Sequence, residues 1–285
     1  MTLGEWLDTW MELYVWPGDL ATNTKRCYNR AVRAVPRMLS SLSIRELTVY
    51  DLRRWLLEVA KETPRAAQLD RQMLTKALSL AVKAGEASPA LCDRELLPQI
   101  AHQAAKAAVL NTEQLRAYLA AASQTKNGLP LMLMACGLRR GEALGARWEA
   151  LDLAAGTLAV VGQRMPGSDE LAPCKSAAAY RVIELPQTVI STIKRMPRPI
   201  GGGWLCDVPS RSIYRVHEQL LSQLQLPRVT LHGLRHSFAT AAVQQGVPIK
   251  VLQGALGHAH YQLTADLYAD HLPPVSCVSR SVFIA

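Results

Sequence analysis

The chain has 285 residues, of which 49% are apolar, so it is long enough to fold as two domains with sizeable cores. It contains no run of 18 or more apolar residues and no amino-terminal signal pattern, which excludes a membrane-spanning helix and leads us to expect a cytoplasmic protein. The six cysteines occur singly, without a C-x-x-C pair, which argues against a disulfide framework or a zinc ribbon.

The charge of the chain points to a polyanionic partner. The net charge is +9. Residues 1–105 hold 14 Lys and Arg against 12 Asp and Glu, a net of +2, whereas residues 106–285 hold 18 against 11, a net of +7. We therefore expect the carboxyl-terminal part to carry the positive field. The alternative is that the excess of Lys and Arg only makes the surface soluble.

Four helices are predicted over residues 1–88. The first opens with a capping box at Thr2 and Glu5, and the second runs through KRCYNRAVRAVPRML with Asn23 or Thr24 as its cap. The third begins at Thr48, and the fourth extends from Pro64 as far as the glycine at position 85. Because no strand pattern interrupts them, these helices predict a small bundle, and residues 89–108 are interpreted as a linker.

The second predicted domain covers residues 109–272 and starts with a helix capped near Asn111. The apolar stretch LPLMLMAC then predicts a buried helix that Gly137 ends, after which Arg139 begins another helix with Glu142 one turn on. From residue 156 the pattern changes, and TLAVV and YRVIELP predict two strands. Lys175 lies between them.

The chain from residue 230 to 271 predicts three short helices. The first continues to Gly246 and carries His232 and Arg235 on one face, three residues apart. The second begins after a proline and ends at a glycine, and His258 follows it directly. Tyr268 comes ten residues after His258.

These motifs resemble the tyrosine recombinase (phage integrase) family. The H-x-x-R sequence, the LGH sequence and the tyrosine ten residues beyond it match the carboxyl-terminal signature, while GLRRGE and Lys175 match the upstream arginine motif and the β-hairpin lysine. The resemblance implies a mainly α fold with a small antiparallel β-sheet in the carboxyl-terminal domain (α+β), in which a helical clamp domain precedes the catalytic domain. It also implies a site-specific DNA recombinase that works through a covalent 3′-phosphotyrosine, without metal, cofactor or ATP.

The chemistry explains why such a site needs these residue types. A DNA phosphodiester carries negative charge that repels nucleophiles, so Arg139 and Arg235 are predicted to bind its oxygens. Tyr268 is the predicted nucleophile, with His232 as a plausible proton acceptor and His258 as a further hydrogen-bonding group. The resemblance implies that Lys175 donates a proton to the leaving 5′-oxygen. Glu142 is expected to support the site.

The expected partner is double-stranded DNA at an attachment or recombination site. The family resemblance implies a homo-tetramer on DNA and a monomer or weak oligomer without it, with DNA-bending proteins as candidate accessory factors. Residues 273–285 are predicted to dock on a neighbouring protomer, docking on the same protomer being the alternative. The candidate DNA-binding side chains outside the site are Lys25, Arg26, Arg30, Arg71, Lys76 and Arg140.

Other interpretations remain open at this point. His232 and His236 have the H-x-x-x-H spacing of a zinc site, but the adjacent glutamate of a helical zinc protease is missing. Tyr261 is a second candidate nucleophile, although its spacing from His258 fits the family less well. A type IB topoisomerase or an Xer-like resolvase would share the chemistry, and a helix-turn-helix regulator would explain the basic helices without catalysis.

Overall fold

The computed structural model describes residues 1–93, 95–101, 108–165, 168–174 and 176–257. The chain divides into two compact units, residues 1–105 and residues 106–285. The predicted fold class is confirmed, because the described elements are mostly helices with small antiparallel sheets in the second unit. None of the described helices is both long enough and apolar enough to cross a membrane.

The first unit is built from helices throughout its described part. In chain order it contains α1 (Leu3–Trp10), a π-helical segment (Met11–Val15), α2 (Thr22–Ala34), α3 (Arg37–Ser40), α4 (Val49–Glu62), α5 (Pro64–Lys83) and a 3₁₀ turn (Pro89–Cys92). Two capping boxes begin helices where the sequence predicted them, at Thr2 with Glu5 and at Thr48 with Asp51. These side chains satisfy backbone N–H groups that have no partner inside the helix.

The predicted second helix is wrong in its extent. It begins at Thr22, before the expected cap, and it ends at Ala34 instead of continuing through Pro36. Val35 adopts an extended backbone with ψ of 123° because the proline ring that follows disfavours the helical conformation at the preceding residue. A new short helix then starts after Pro36.

The core of the first unit extends further along the chain than predicted. Trp6 donates its indole N–H to the carbonyl of Ala77 at 3.0 Å, which joins α1 to α5 inside the bundle. Leu91 and Leu97 are buried in the same core. Residues 89–108 are therefore not a free linker over their whole length, because the apolar side chains at their start pack on the bundle.

The second unit combines seven described helices with short strands. The helices are α6 (Thr112–Ser123), α7 (Leu129–Ala135), α8 (Arg140–Leu144), α9 (Gln187–Lys194), α10 (Ser210–Gln223), α11 (Leu231–Gln244) and α12 (Ile249–Leu256). Every residue of α7 is buried, as its unbroken apolar sequence predicted. It therefore lies at the centre of the core, and the turn that follows it begins the candidate site.

The strands form two antiparallel sheets. In the first, β1 (Leu151–Asp152), β2 (Thr157–Val160) and β5 (Arg181–Glu184) lie in that order, with Leu158 opposite Ile183. In the second, β3 (Gln163–Arg164) pairs with β4 (Leu171–Ala172) as a hairpin. Both strands predicted from TLAVV and YRVIELP are therefore confirmed.

A buried hydrogen-bonded pair ties α6 to α10. The Tyr118 hydroxyl lies 2.7 Å from Nδ1 of His217, and Nε2 of the same ring lies 2.8 Å from the carbonyl oxygen of Val229. A carbonyl only accepts, so Nε2 carries the proton and Nδ1 accepts from the tyrosine. Burial lowers the pKa of His217, and the Val229 carbonyl opposes this shift more weakly.

We predict that Tyr118→Phe lowers the free energy of unfolding by about 1–3 kcal/mol, because it leaves the buried Nδ1 of His217 without a donor. Stability should also fall as the pH drops below about 6.5, since the unfolded His217 then binds a proton that the folded ring resists. Thermal unfolding followed by circular dichroism measures both effects. Tyr50→Phe, at an exposed position, is the matched control, and equal melting of the two variants would contradict the prediction.

Candidate active site

The turn between α7 and α8 places the first two predicted site residues side by side. Gly137 has a φ of +94°, which redirects the chain after the buried helix. Glu142 then accepts a hydrogen bond from the backbone N–H of Arg139 at 2.9 Å and a second from Nη1 of the same residue at 2.7 Å. The GLRxxE motif is therefore a closed local structure in which the carboxylate fixes both the start of α8 and the guanidinium.

Glu142 is also the centre of a cluster of three arginines. Its carboxylate is 3% exposed and accepts from Nη2 of Arg181 at 3.0 Å, while Nη1 of Arg235 lies 3.9 Å away. Burial alone would raise the pKa of Glu142, but the hydrogen bond and charge of Arg181, followed by the bonds from Arg139, outweigh it and lower the pKa. The carboxylate is thus ionised and joins three different elements.

The same three arginines bind successive carbonyls at the end of α12. Arg181 Nε donates to the carbonyl of Ala255 at 2.6 Å, Arg235 Nη2 to that of Leu256 at 2.8 Å, and Arg139 Nη2 to that of Gly257 at 3.0 Å. The last carbonyls of a helix have no intrahelical partner and carry partial negative charge, so guanidinium groups stabilise this end. The residue after Gly257 in the sequence is His258.

Close packing explains why glycines occupy two positions in this cluster. A Cβ added at Gly257 would lie 2.9 Å from the carbonyl oxygen of Ala178 and 2.9 Å from Nη1 of Arg181, and its φ of +65° is also left-handed. At Gly137 a Cβ would lie 2.9 Å from the ring of Phe238. The Gly137 carbonyl accepts from Nη1 of Arg235 at 2.6 Å, so its close approach to α11 contributes directly to the cluster.

The two arginines predicted to bind phosphate differ in their exposure. The Arg235 side chain is 2% exposed and is held by the carbonyls of Gly137 and Leu256. The Arg139 side chain is 34% exposed. The Arg139 guanidinium is therefore accessible to a ligand from solvent, whereas Arg235 contributes positive charge from a buried position.

His232 lies on α11, one turn before Arg235, and its side chain is exposed. Its ring centroid is 4.6 Å from that of His236, with the two rings perpendicular. The pKa of His232 is lowered to about 4, first by desolvation and then by the charges of His236, Arg235 and Arg139, against a smaller opposing effect of Glu142. The ring is therefore neutral near pH 7, and one of its nitrogens is free of a proton.

The metal alternative depends on ligands beyond this histidine pair. Within the described ranges, no group of three or more His, Cys, Asp or Glu side chains is arranged to hold a metal ion. His236 has a lowered pKa, caused first by desolvation and then by Arg235. Among the described residues, the two histidines therefore form a ring-to-ring contact without a third side chain that would complete a metal site.

Three comparisons with known proteins bear on this arrangement. The model of the phage integrase family matches residues 207–273. A relative in Caldanaerobacter subterraneus subsp. tengcongensis, named tyrosine recombinase XerC-like, is 25% identical over 50% of this chain and 45% of its own length. The chain is therefore similar to tyrosine recombinases. It spans about half the length of this curated relative.

The solved structures of two integrases share the fold. The integrase of transposon Tn1549, determined in complex with a circular intermediate DNA, has a TM-score of 0.78 and 20% identity, and the match covers 100% of both chains. A lambda integrase dimer bound to a COC′ core site has a TM-score of 0.72 and 18% identity, with 94% and 95% of the two chains covered. Both similarities in fold extend over nearly the whole chain.

Three of the predicted site residues lie outside the described residues. These are Lys175, His258 and Tyr268, together with the alternative nucleophile Tyr261. Their roles stay predictions from the sequence. The structure describes the segments that directly precede two of them. These are the β3–β4 hairpin with Cys174, before Lys175, and the arginine-bound end of α12, before His258.

Arg181 is the site residue that sequence reasoning missed. It begins β5, where alternation places it on the same face as the buried Ile183 and opposite the exposed Val182. A charged residue on the inward face of a strand needs a charged partner, because burying it alone is costly. The alternation of β5 could therefore have indicated that Arg181 has a buried acidic partner, which the structure identifies as Glu142.

The candidate DNA-binding residues outside the cluster have mixed environments. Arg26 and Arg30 are exposed on α2, whereas Lys25 donates to the carbonyl of Trp16 at 2.7 Å. Lys76 lies 2.5 Å from the Tyr28 hydroxyl. The remaining two are Arg71, whose Nε is buried with no hydrogen-bond partner, and Arg140, whose Nη1 lies 2.5 Å from the Tyr214 hydroxyl. Arg26 and Arg30 are thus the most accessible of the group.

We predict that Glu142→Gln destabilises the protein by about 3–5 kcal/mol at pH 7, because it removes the buried charge that balances the arginines. The difference from the wild type should shrink as the pH falls below about 4.3, since the unfolded wild-type carboxylate is then protonated and the wild type loses the contribution of its lowered pKa. Urea unfolding at several pH values measures this. Glu184→Gln, exposed on β5 beside the cluster, serves as the control, and an equal loss in both variants would contradict the prediction.

Proposed function

We propose that the chain is a site-specific DNA recombinase that cleaves and rejoins strands through a covalent 3′-phosphotyrosine. The observation that carries this proposal is the convergence of Arg139 and Arg235 at the end of α12, directly before the segment that holds His258 and Tyr268 in the sequence. His232 is close enough to both arginines for their charges to lower its pKa. Two guanidiniums and a neutral imidazole are the groups that transfer of a phosphodiester needs.

The reaction follows from the chemistry of these groups. The phenol oxygen of Tyr268 forms a bond to phosphorus while the bond from phosphorus to the 5′-oxygen breaks. The proton of the phenol goes to a neutral acceptor, for which His232 is the candidate because its ring is unprotonated near pH 7 and it lies on the face of α11 that carries Arg235. A proton from Lys175 goes to the leaving 5′-oxygen. The negative charge that builds on the phosphate is stabilised by Arg139 and, from beneath it, by Arg235.

The covalent intermediate makes the strand exchange independent of ATP. The phosphotyrosine keeps the energy of the phosphodiester bond, so the 5′-hydroxyl of a second strand reverses the step and releases Tyr268. The reverse step needs the same groups in the opposite proton states. No metal or other cofactor takes part in this proposal.

The proposed partner is double-stranded DNA. The charge of +7 over residues 106–285 supports a polyanionic partner for the second unit, and the helical first unit is proposed to close over the duplex through its exposed basic residues. Lambda integrase forms a dimer on a core site. We propose that this chain likewise assembles on DNA, as a tetramer, with residues 273–285 docking on a neighbour and DNA-bending proteins as candidate accessory factors. Its site of action is the bacterial cytoplasm, at the nucleoid.

Three related activities would use this chemistry. An integrase joins attachment sites of a mobile element to a chromosome, while an Xer-like resolvase acts at a chromosomal site. The similarity to transposon and lambda integrases favours the first, and that to the XerC-like relative favours the second. A type IB topoisomerase would relax supercoils without exchanging partners. Recombination between two marked plasmids carrying the selected site distinguishes exchange from relaxation.

We predict that Tyr268→Phe still binds DNA but forms no covalent adduct, because the ring remains while the nucleophilic oxygen is lost. The binding site is first selected from a random-sequence duplex library, and a nicked suicide duplex containing it is then incubated with the protein, with excess EDTA present. A denaturing gel detects the adduct. Tyr261→Phe is the control and should react normally, whereas adduct formation by Tyr268→Phe but not by Tyr261→Phe would reverse the assignment.

We further predict that a 5′-bridging sulfur rescues Lys175→Ala but not Arg139→Ala. A thiolate leaves without receiving a proton, so the sulfur substrate compensates only for the loss of the proton donor Lys175. Arg139 acts on the phosphate charge, which the sulfur does not supply. Single-turnover rates on oxygen and sulfur substrates measure the rescue, and rescue of both variants or of neither would remove Lys175 from the acid role.

A further inference from the structure

The backbone that precedes Lys175 is held from two sides by side chains with no assigned role. Gln163 on β3 donates from Nε2 to the carbonyl oxygen of Pro173 at 3.0 Å. The backbone N–H of Cys174 donates to the Tyr180 hydroxyl at 3.3 Å. The next residue in the sequence is Lys175. One peptide unit, from the Pro173 carbonyl to the Cys174 nitrogen, thus has a separate tether at each end.

Both tethers are anchored in the elements that carry the arginine cluster. Gln163 lies against α8, since a Cβ at Gly141 would meet the Gln163 side chain at 3.3 Å. Tyr180 directly precedes Arg181, whose guanidinium binds both Glu142 and the end of α12. The position of the Pro173–Cys174 peptide is therefore fixed relative to the groups that are proposed to hold the phosphate.

The charge environment of Cys174 agrees with this placement. Its pKa is raised first by desolvation and then by Glu142, while Arg181 and Arg139 oppose the shift. All three charged residues of that set belong to the cluster. The backbone before Lys175 thus lies within electrostatic reach of the site.

The exposure of Tyr180 argues against a role in packing. Its side chain is 49% exposed, so the ring contributes little to the core. Its hydroxyl nevertheless has a defined partner in the Cys174 N–H. A hydrogen bond of this kind adds little net stability at the surface, but it restricts where the following residue can lie.

We propose that Tyr180 and Gln163 are positioning residues for Lys175, which hold the Pro173–Cys174 peptide so that the lysine ammonium reaches the leaving 5′-oxygen. The inference rests on the proposed function. In the step concerned, the bond from phosphorus to the 5′-oxygen breaks, its electron pair stays on that oxygen, and a proton moves there from the Lys175 ammonium. Tyr180 and Gln163 do not touch the reacting atoms.

The test uses Tyr180→Phe in the full chain, which removes the hydroxyl alone. Single-turnover adduct formation is measured on two nicked duplexes that differ only in a 5′-bridging oxygen or sulfur. On the oxygen substrate we expect a rate about 10- to 100-fold below the wild type, the scale of loss that a misplaced catalytic group produces. On the sulfur substrate the two proteins should react at nearly the same rate, because no proton is needed.

A second variant and a matched control keep the test independent of folding. Gln163→Leu breaks the other tether and should show the same oxygen-specific defect. Tyr50→Phe, at an exposed tyrosine of the first unit, should react like the wild type on both substrates. Melting temperature and binding to the selected site should be unchanged in all three variants.

Each contrary result has a distinct meaning. A wild-type rate for Tyr180→Phe on the oxygen substrate overturns the positioning role, and so does a defect of equal size on the sulfur substrate, which would indicate a general loss of structure. If the wild type itself forms no adduct on either duplex, the proposed function fails, and this inference fails with it.

Discussion

The described part of the candidate site depends on the carbonyl end of α12. Three consecutive carbonyl groups there point at three guanidiniums, which arrive from the start of α8, from β5 and from α11. Glu142 then holds those guanidiniums together from the opposite side. Residues far apart in the sequence therefore meet at one helix terminus, where partial negative charge and full positive charge attract. The path of the chain beyond Gly257 starts from this fixed point.

The charge balance of the cluster suits it to an anionic ligand. Three arginines face one buried carboxylate, so the group keeps a surplus of two positive charges without any ligand. The same surplus helps to keep His232 neutral, since a further positive charge beside Arg235 and Arg139 would be repelled. A phosphodiester would compensate the surplus. A single arrangement of charges thus favours the binding of phosphate and also keeps a neighbouring imidazole unprotonated.

The family resemblance pointed to Arg139, Glu142, His232 and Arg235, and helical periodicity predicted that His232 and Arg235 share one face. Neither identified Arg181, whose role depends on which helix packs over β5, and that is a tertiary contact. The predicted second helix ran through Pro36, although a proline disfavours the helical conformation at the residue before it. The burial of Leu91 and Leu97 could not be read from a segment that lacks periodicity. Lys175, His258 and Tyr268 remain predictions, as their residues lie outside the described ranges.

The turn at Gly137 also limits how this protein can change over evolutionary time. A side chain there meets two independent obstacles, a left-handed backbone angle and the ring of Phe238. A smaller residue at position 238 would relieve the second obstacle but not the first, which costs about 1–2 kcal/mol for an ordinary residue. No single compensating substitution therefore opens a neutral route away from glycine. Random drift should therefore leave this position unchanged wherever the second unit must still fold.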